Sequence, residues 1–334
     1  MNMTIPDTSV TTIPVSPAAS SSALSVKERA KRKLERDARD IVSALQDPDT
    51  VEIMVNADGR IWLEKLGQKI ICIGNLQAAQ AEAIIKTVAG YHGKEITRLN
   101  PIIEGEFPLD HSRFAGQLPP VVTSPTFAIR KKAVAIFTLD QYVENGVLSA
   151  RHCHVIKNAV REHRNILVIG GTGSGKTTLI NAIIFEMVLD NPDERIVILE
   201  DTGEIQCAAQ NFVQYHTTLD VDLTQLLKTT LRMRPDRILV GEVRGAEALD
   251  LLDAWNTGHE GGAATLHAND ALSGLTRLES LISRNNHAPA DIKPLIAEAV
   301  DVVIHIARNQ NGRRVHEILE VYGFKRGHYQ TRRL

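Results

Sequence analysis

The segment that most constrains the fold of this chain is an eight-residue loop near its middle. The loop reads Gly170-Gly171-Thr172-Gly173-Ser174-Gly175-Lys176-Thr177, which matches the pattern G-x-x-x-x-G-K-[ST]. It follows an apolar run at 165–169 and precedes a stretch at 177–189 whose apolar residues recur at helical spacing. Strand, glycine turn and helix therefore occur in the order that a phosphate-binding loop requires. Such a loop lies at the carboxyl end of a strand in a parallel α/β sheet.

The residue types in this loop suit a nucleoside triphosphate. Glycines let successive backbone N–H groups point at one anion, and the positive end of the following helix adds to their field. Lys176 is expected to reach the β- and γ-phosphates, and the Thr177 hydroxyl is expected to hold Mg²⁺. A glycine-rich turn without a ligand would explain the glycines but not the Lys-Thr pair that follows them. We therefore predict ATP and Mg²⁺ as ligands. The predicted nucleotide-binding residues of this segment are Gly171, Thr172, Gly173, Ser174, Gly175, Lys176, Thr177 and Thr178.

Composition limits the class of protein. A chain of 334 residues with 43% hydrophobic residues is long enough for two domains, and its net charge of −2 gives no reason to predict DNA binding. Its three cysteines lie far apart, which argues against a disulfide framework and fits a reducing cytoplasm. No apolar run reaches the roughly eighteen residues of a membrane span. Residues 1–25 are rich in Ser, Thr and Pro and are expected to form a disordered tail rather than a signal peptide.

Residues 26–145 are predicted to form a small α+β domain. It begins with an amphipathic helix at 26–46, which could rest on an anionic membrane surface. We expect it to pack on its own domain instead, because acidic residues dilute its positive charge. Apolar and polar residues alternate on both sides of Asp58-Gly59, which indicates a hairpin. A helix at 76–89 and three short strands follow, and the domain is expected to end near residue 145.

Residues 146–334 are predicted to form an α/β domain that carries the phosphate-binding loop. Apolar runs at 195–199, 237–240 and 263–267 alternate with helical patterns, which is typical of a mostly parallel sheet with helices on both faces. A helix at 292–300 and two closing strands are expected near the end of the chain.

A carboxylate stands at the tip of one of these strands. The run Arg237-Ile238-Leu239-Val240-Gly241-Glu242 places Glu242 where a base could orient water against the γ-phosphate. Many such enzymes have an aspartate metal ligand directly before the glutamate, whereas this chain has Gly241. Metal binding is therefore expected to rely on Thr177 and waters, with Glu200 and Glu242 as further candidate ligands.

Two more strands end in polar residues. One runs into the acidic segment 200–204, where Glu200 and Glu204 are expected to position Mg²⁺ or water. Another ends at His267, from which an imidazole could reach the γ-phosphate and sense hydrolysis. Zinc binding by His259 and His267 is a weaker alternative, because no third ligand lies at useful spacing.

Arginines flank the strand that leads to Glu242. Arg232, Arg234 and Arg244 could supply permanently charged donors to a transferring phosphoryl group, often from a neighbouring subunit. Arg113 and Arg130 of the first domain are candidates for the same work. Each arginine taken alone is also compatible with a surface ion pair.

The order of the phosphate-binding loop, the acidic segment, the Gly241-Glu242 strand and the histidine segment resembles the secretion ATPases of type II and type IV systems, which include pilus motors. The run Leu231-Arg232-Met233-Arg234-Pro235-Asp236 leading to Gly241-Glu242-Val243-Arg244 is particularly specific, and the resemblance extends from about Thr50 to the end. Met54-Val55-Asn56 and Phe127-Ala128-Ile129-Arg130-Lys131 are similar to the branch that contains the conjugative-transfer TrbB proteins and the VirB-type traffic ATPases.

This resemblance implies a homohexameric ring of RecA-like P-loop NTPase domains, each preceded by the small α+β domain. It implies that Arg113 and Arg130 reach the nucleotide from that first domain. It also implies attachment to the cytoplasmic face of the inner membrane, with channel components of a secretion or conjugation apparatus as partners. A pilus or tight-adherence motor, a nucleotide-gated scaffold with little hydrolysis and a DNA-translocating ring stay open as alternatives.

Overall fold

The computed structural model describes residues 18–65, 68–131, 136–218, 220–309 and 312–334, with side chains from residue 26 onward. Most of the predicted tail, residues 1–17, lies outside this part of the chain. The remaining residues of that tail differ from the prediction, because a helix already begins at Ala18.

Packing divides the chain into two units, Met1–Lys132 and Ala133–Leu334. The division precedes the helix Leu139–Glu144, whereas the sequence placed it after this helix, near residue 145. The physical reason is burial. Leu139 and Tyr142 lie in a hydrophobic core of the second unit, so this helix packs with the second unit rather than with the first.

The first unit contains a six-stranded antiparallel sheet with the strand order β3-β2-β1-β6-β5-β4. Its elements are α1 (Ala18–Asp37), α2 (Arg39–Gln46), β1 (Thr50–Val55), β2 (Arg60–Lys65), β3 (Ile71–Asn75), α3 (Ala78–Tyr91), β4 (Ile102–Glu106), β5 (Arg113–Gln117) and β6 (Thr126–Arg130).

Local sequence explains two features of this unit. Gly59 has φ +82 and donates its N–H to the Asn56 carbonyl at 2.9 Å, which closes the predicted hairpin between β1 and β2. The apolar stripe of α1 and α2 is buried with the sheet, since Leu34, Ala38 and Ile41 are at most 2% exposed. This burial agrees with a helical pair that packs on its own domain.

The second unit contains an eight-stranded mixed sheet with the order β14-β13-β12-β7-β11-β10-β8-β9. The strands from β12 to β9 in this order are parallel, and β13 and β14 add antiparallel pairs at one edge. Its elements are α4 (Leu139–Glu144), α5 (Ala150–Arg161), β7 (Ile166–Ile169), α6 (Lys176–Asp190), β8 (Ile196–Glu200), β9 (Phe212–His216), α7 (Leu223–Thr230), β10 (Arg237–Val240), α8 (Glu247–Asn256), β11 (Ala263–Leu266), α9 (Ala271–Ile282), α10 (Ile292–Ala299), β12 (Val302–Asn309), β13 (Gly312–Lys325) and β14 (His328–Arg333).

Helices cover both faces of this sheet, as the sequence predicted. Side chains alternate along each strand, so Ile196 and Ile198 join one core with α4, α5 and α6, whereas Val197 and Leu199 join a second core with α7 to α10. Both faces of the inner strands are therefore buried, which explains their continuous apolar runs. In the part of the chain that the structure describes, no helix combines the length and apolar character needed to cross a membrane.

A buried arginine connects the segments at the amino-terminal ends of the strands in this sheet. Arg237, at the start of β10, is fully buried and forms an ion pair with Glu194. Its guanidinium also donates to the carbonyl of Gly261 at 3.1 Å and to that of Val160 at 3.2 Å. Because a buried charge is tolerated only when it is paired and hydrogen-bonded, these contacts account for an arginine inside the core.

Candidate functional site

The phosphate-binding loop connects β7 to α6 in the conformation that its glycines allow. Gly175 has φ +99 and caps α6, a backbone conformation that side chains with a Cβ rarely adopt. A Cβ on Gly170 would lie 2.1 Å from the carbonyl oxygen of Ile306, so only glycine fits there. The loop residues Gly171, Thr172, Gly173 and Ser174 lie between these two points. The strand, loop and helix of the sequence prediction are thus present in the expected order.

Lys176 begins α6 and folds back over the loop. Its Nζ donates to the carbonyl oxygens of Gly170 and Gly171, both at 3.0 Å, and the residue is 7% exposed. The ammonium therefore lies within the loop, at the positive end of α6, where an anion would be attracted. Thr177 and Thr178 follow in the first turn of the same helix.

The residues around this loop fit a nucleotide and a hard cation. A Cβ at Gly170 or Gly175 would fill space at the loop, and the buried Ser174 Oγ has no hydrogen-bond partner among the described residues. The Thr177 hydroxyl donates to Glu204 Oε2 at 3.4 Å, which brings together two oxygen groups of the type that Mg²⁺ prefers. Within the described ranges, no group of three or more His, Cys, Asp or Glu side chains is arranged to hold a metal ion.

Glu200, at the end of β8, organises the acidic segment that follows it. Its Oε1 accepts the backbone N–H groups of Glu204 at 3.0 Å and Ile205 at 2.8 Å, and its Oε2 accepts from Gln214 at 2.6 Å. Burial raises the pKa of the Glu200 carboxyl above its usual value, although these hydrogen bonds oppose the rise. The predicted role of Glu200 as a metal ligand stays a prediction, and the observed contacts make it an anchor for the loop that presents Glu204.

The same carboxylate explains why no side chain is present at position 241. A Cβ on Gly241 would lie 2.8 Å from Glu200 Cγ and 3.2 Å from Glu200 Oε1. An aspartate there would collide with Glu200. The Gly241 carbonyl instead accepts a hydrogen bond from Thr265 Oγ1 at 2.5 Å, which joins the ends of β10 and β11.

Glu242 lies at the centre of a row of charged side chains beside the loop. Its Oε1 is 3.2 Å from His267 Nε2, and its Oε2 accepts from Arg244 Nη2 at 2.8 Å. His267 Nε2 in turn lies 3.4 Å from Lys176 Nζ. Arg244 also donates to Asp201 Oδ2 at 2.9 Å, so it connects the Glu242 strand to the acidic segment. The carboxyl ends of four neighbouring strands, β7, β11, β10 and β8, therefore bring together residues that are far apart in the sequence.

Electrostatics in this row keep the carboxylate charged and the imidazole neutral. Burial raises the pKa of Glu242, but the Arg244 hydrogen bond and charge, with His267 and Lys176, outweigh burial and leave that pKa below its usual value. Burial and the positive charge of Lys176 lower the pKa of His267, although Glu242 opposes them. The ion pair with Glu242 raises the pKa of Arg244 further. A charged base and a neutral donor or acceptor are thus adjacent near neutral pH.

Arg232 and Arg234 lie near the amino-terminal ends of the strands, opposite to the ends that carry the phosphate-binding loop. They precede β10, so they stand at its amino-terminal end, whereas the phosphate-binding loop lies at the carboxyl end of β7. Both are exposed, and Arg234 has φ +52. Arg195 holds this turn by donating to the Met233 carbonyl at 2.9 Å. The structure therefore does not bring these two arginines to the loop of their own chain.

Arg113 and Arg130 are cross-strand partners on β5 and β6 of the first unit. Glu52 is the partner of Arg130 on the other side, and Glu64 faces Glu52. Burial raises the pKa of Glu52, and Glu64 raises it further, while both arginines oppose this. The two arginines thus share one polar patch, and their predicted contact with the nucleotide stays a prediction.

Sequence reasoning missed Gln214, which holds Glu200 from the edge strand β9. This strand has the sequence Phe212-Val213-Gln214-Tyr215-His216 and is only partly buried. Its alternation of apolar and polar residues is a weak strand signal that could have indicated it.

Comparison with known proteins extends these observations to most of the chain. The family model described as "Type II/IV secretion system protein" matches residues 35–322. The conjugal transfer protein TrbB of Rhizobium radiobacter is 48% identical over 304 residues, which cover 91% of this chain and 94% of that protein. The type IV secretion system protein VirB11 of Bartonella henselae is 30% identical over 324 residues, which cover 83% of this chain and 90% of that protein.

A solved structure gives the same picture of the fold. The pilus retraction motor PilT with bound ADP has a TM-score of 0.61 to this chain at 19% identity, covering 83% of this chain and 80% of that one. The similarities extend over both units, so they are not confined to the phosphate-binding loop.

Proposed function

Because the chain belongs to the type II/IV secretion system protein family, we propose that it hydrolyses ATP to power the assembly of, or transfer through, a type IV secretion or conjugation apparatus. The observation that carries this proposal is the continuous row of Lys176, His267, Glu242 and Arg244 beside the phosphate-binding loop. The chain is 48% identical to a conjugal transfer protein over 91% of its length, which supports a role in conjugal transfer.

Each residue in the row has a role that its surroundings support. Lys176 and the loop amides bind the β- and γ-phosphates, because the ammonium is already held within the loop. Glu242 orients the attacking water and takes up its proton, since its pKa keeps it ionised. His267 lies between Lys176 and Glu242 and would sense the γ-phosphate. Arg244 holds Glu242 in position and keeps it charged.

Mg²⁺, when bound, would neutralise developing charge on the phosphate oxygens. Thr177 is the residue best placed to hold it, and the nearby Glu204 would position its water ligands. Glu200 has both carboxylate oxygens engaged in hydrogen bonds, so its contribution would be to fix the segment that carries Glu204.

We propose a homohexameric ring for this activity. Arg232 and Arg234 lie at the sheet edge away from the loop of their own chain, so any contact they make with a nucleotide must be made to that of a neighbouring copy. Arg113 and Arg130 would add positive charge from the first domain. As the family resemblance implies, the ring would work at the cytoplasmic face of the inner membrane, with membrane components of a secretion or conjugation channel as its partners.

Two measurements test this proposal together. The purified chain should hydrolyse ATP in a Mg²⁺-dependent manner and should elute with the mass of a hexamer. A donor strain that lacks the chain should lose conjugal transfer and regain it when the chain is restored. Absence of Mg²⁺-dependent turnover would contradict the enzymatic part. Crosslinking in cells that recovers pilin-platform proteins and no channel components would instead favour a pilus motor.

The pH dependence of hydrolysis is expected to depend on Arg244. Since Glu242 and His267 both have lowered pKa values, the acid limb of the wild-type kcat profile should lie at lower pH than the ordinary pKa values of a carboxyl and an imidazole would give. Arg244→Gln removes the hydrogen bond that lowers the Glu242 pKa and leaves the burial that raises it, so the acid limb should move to higher pH. The measurement is kcat against pH, scaled to each variant's own maximum. Arg284→Gln, an exposed arginine away from this row, is the control. An unchanged acid limb in Arg244→Gln would contradict this assignment.

A further inference from the structure

The hairpin of β12 and β13 forms a side wall of the phosphate-binding loop. The Ile306 carbonyl of β12 lies against Gly170, and the Ile306 side chain lies near Gly175, where its Cδ1 would be 3.6 Å from an added Cβ. From β13, Arg313 donates its Nε–H to the carbonyl of Gly173 at 3.3 Å. A Cβ on Gly175 would lie 2.9 Å from Arg313 Cδ. The stem of this arginine therefore lies directly over the residue that caps α6.

This arginine has a second one across from it. Arg308 of β12 and Arg313 of β13 are register partners, so their side chains emerge on the same face of the hairpin. Both residues are exposed at this edge of the second unit. Among the residues that the structure describes, no carboxylate forms an ion pair with either of them. Like charges directly opposite each other are unfavourable, and a bound anion would remove that repulsion.

The Arg313 guanidinium has further N–H donors that could bind such an anion. Arginine carries five N–H donors in a planar fork that matches phosphate oxygens, and the bond to Gly173 uses one of them. Its positive charge is also felt by buried Tyr142 of α4. Burial raises the pKa of that phenol, and Arg313 opposes the rise. The charge is therefore close to the loop and to the helix that packs below it.

We propose that Arg313, with Arg308 opposite it, binds the phosphate chain of the nucleotide held by the Gly170–Thr177 loop. This proposal rests on the proposed function and deepens it. It gives the loop a second cationic side chain, supplied by the β12–β13 hairpin, in addition to Lys176. The ligand chemistry is a polyphosphate anion, and the contact is independent of the base.

The test measures binding of ADP and of inorganic tripolyphosphate by calorimetry at low and high salt. Arg313→Ala should weaken both ligands by about tenfold or more at low salt, the loss expected for hydrogen bonds to a charged group. The difference from the wild type should shrink at high salt, because screening reduces a charge interaction, whereas a merely structural defect would not respond in this way. Arg308→Ala, which removes no bond to the loop, should weaken both ligands to a smaller extent.

Arg314 provides the matched control. It is the exposed neighbour of Arg313 on the same strand, and successive side chains of a strand point to opposite faces, so Arg314→Ala should bind both ligands as the wild type does. If the Arg313→Ala protein unfolds, Arg313→Lys replaces it in the test. Lysine keeps an aliphatic side chain and a positive charge but lacks the planar guanidinium, so this variant should still bind both ligands more weakly than the wild type.

Two results would overturn the proposal. One is unchanged tripolyphosphate binding in folded Arg313 variants. The other is a loss of ADP affinity alone, which would indicate a contact to the base or ribose. Wild-type binding and turnover, measured alongside, separate these results from a failure of the proposed function itself.

Discussion

Lys176→Ala is expected to lower ATP turnover by about 10²–10³-fold, the loss typical of removing one preorganised donor from a site of developing charge. The wild-type ammonium is held 3.0 Å from two loop carbonyls at the amino end of α6, and alanine leaves both the loop and the phosphates without it. Nucleotide binding should weaken together with turnover. The measurements are steady-state phosphate release and the Kd for ADP.

The control for this substitution is Lys293→Ala, which removes a lysine whose side chain is 44% exposed and lies far along the chain in α10. Lys293→Ala should keep the wild-type thermal unfolding midpoint, and Lys176→Ala, which loses two hydrogen bonds to the loop, should still unfold in one cooperative transition above the assay temperature, so that a loss of activity reports on the site. Turnover at the wild-type rate in folded Lys176→Ala would show that the loop is not the site of hydrolysis.

Glu242→Gln should separate binding from hydrolysis. The amide keeps the shape of the side chain and can still accept a hydrogen bond from Arg244, but it cannot take a proton from water. We expect turnover to fall by about 10²–10⁴-fold, the usual contribution of a general base, while ATP affinity changes little. Single-turnover hydrolysis and equilibrium binding of ATP give the two quantities separately.

Glu298→Gln, an exposed glutamate of α10, is the matched control and should leave both quantities unchanged. The same variants in a donor strain distinguish a motor from a scaffold. Transfer that persists in a Glu242→Gln strain with no detectable turnover would favour the nucleotide-gated scaffold. Retained hydrolysis in the purified variant would instead remove Glu242 from the role of base.

The inner strands of the second unit were predictable from sequence because of how they are buried. The strands β7, β8, β10 and β11 begin or end within one residue of the apolar runs that indicated them. Each is covered by helices on both faces, so its sequence is mostly apolar, and Thr265 of β11 is a buried polar exception. The proximity of the residues at their carboxyl ends was also predictable, because parallel strands bring those ends to the same side of the sheet.

The edge strands of the second unit, β9 and β14, were not predicted from the sequence because their burial is incomplete. The strand β14 reads His328-Tyr329-Gln330-Thr331-Arg332-Arg333, with no buried residue, and β9 is partly exposed. Neither has the pattern of a strand covered on both sides. Contacts such as Gln214 with Glu200, and Arg313 with Gly173, join segments whose proximity depends on the order of strands in the sheet. The local pattern of apolar and polar residues does not indicate the order of the strands in the sheet.

The position of β11 between β7 and β10 has a consequence for the width of the reaction space. Neighbouring strands lie about 4.8 Å apart, so the ends of β7 and β10 are separated by about 10 Å. If these two strands were adjacent, their ends would lie only about 4.8 Å apart, which would leave less space between Glu242 and the loop. The interposed strand therefore acts as a spacer. His267, at the end of β11, occupies part of the gap between the loop and Glu242. Any movement that narrows or widens this gap must therefore also move the imidazole.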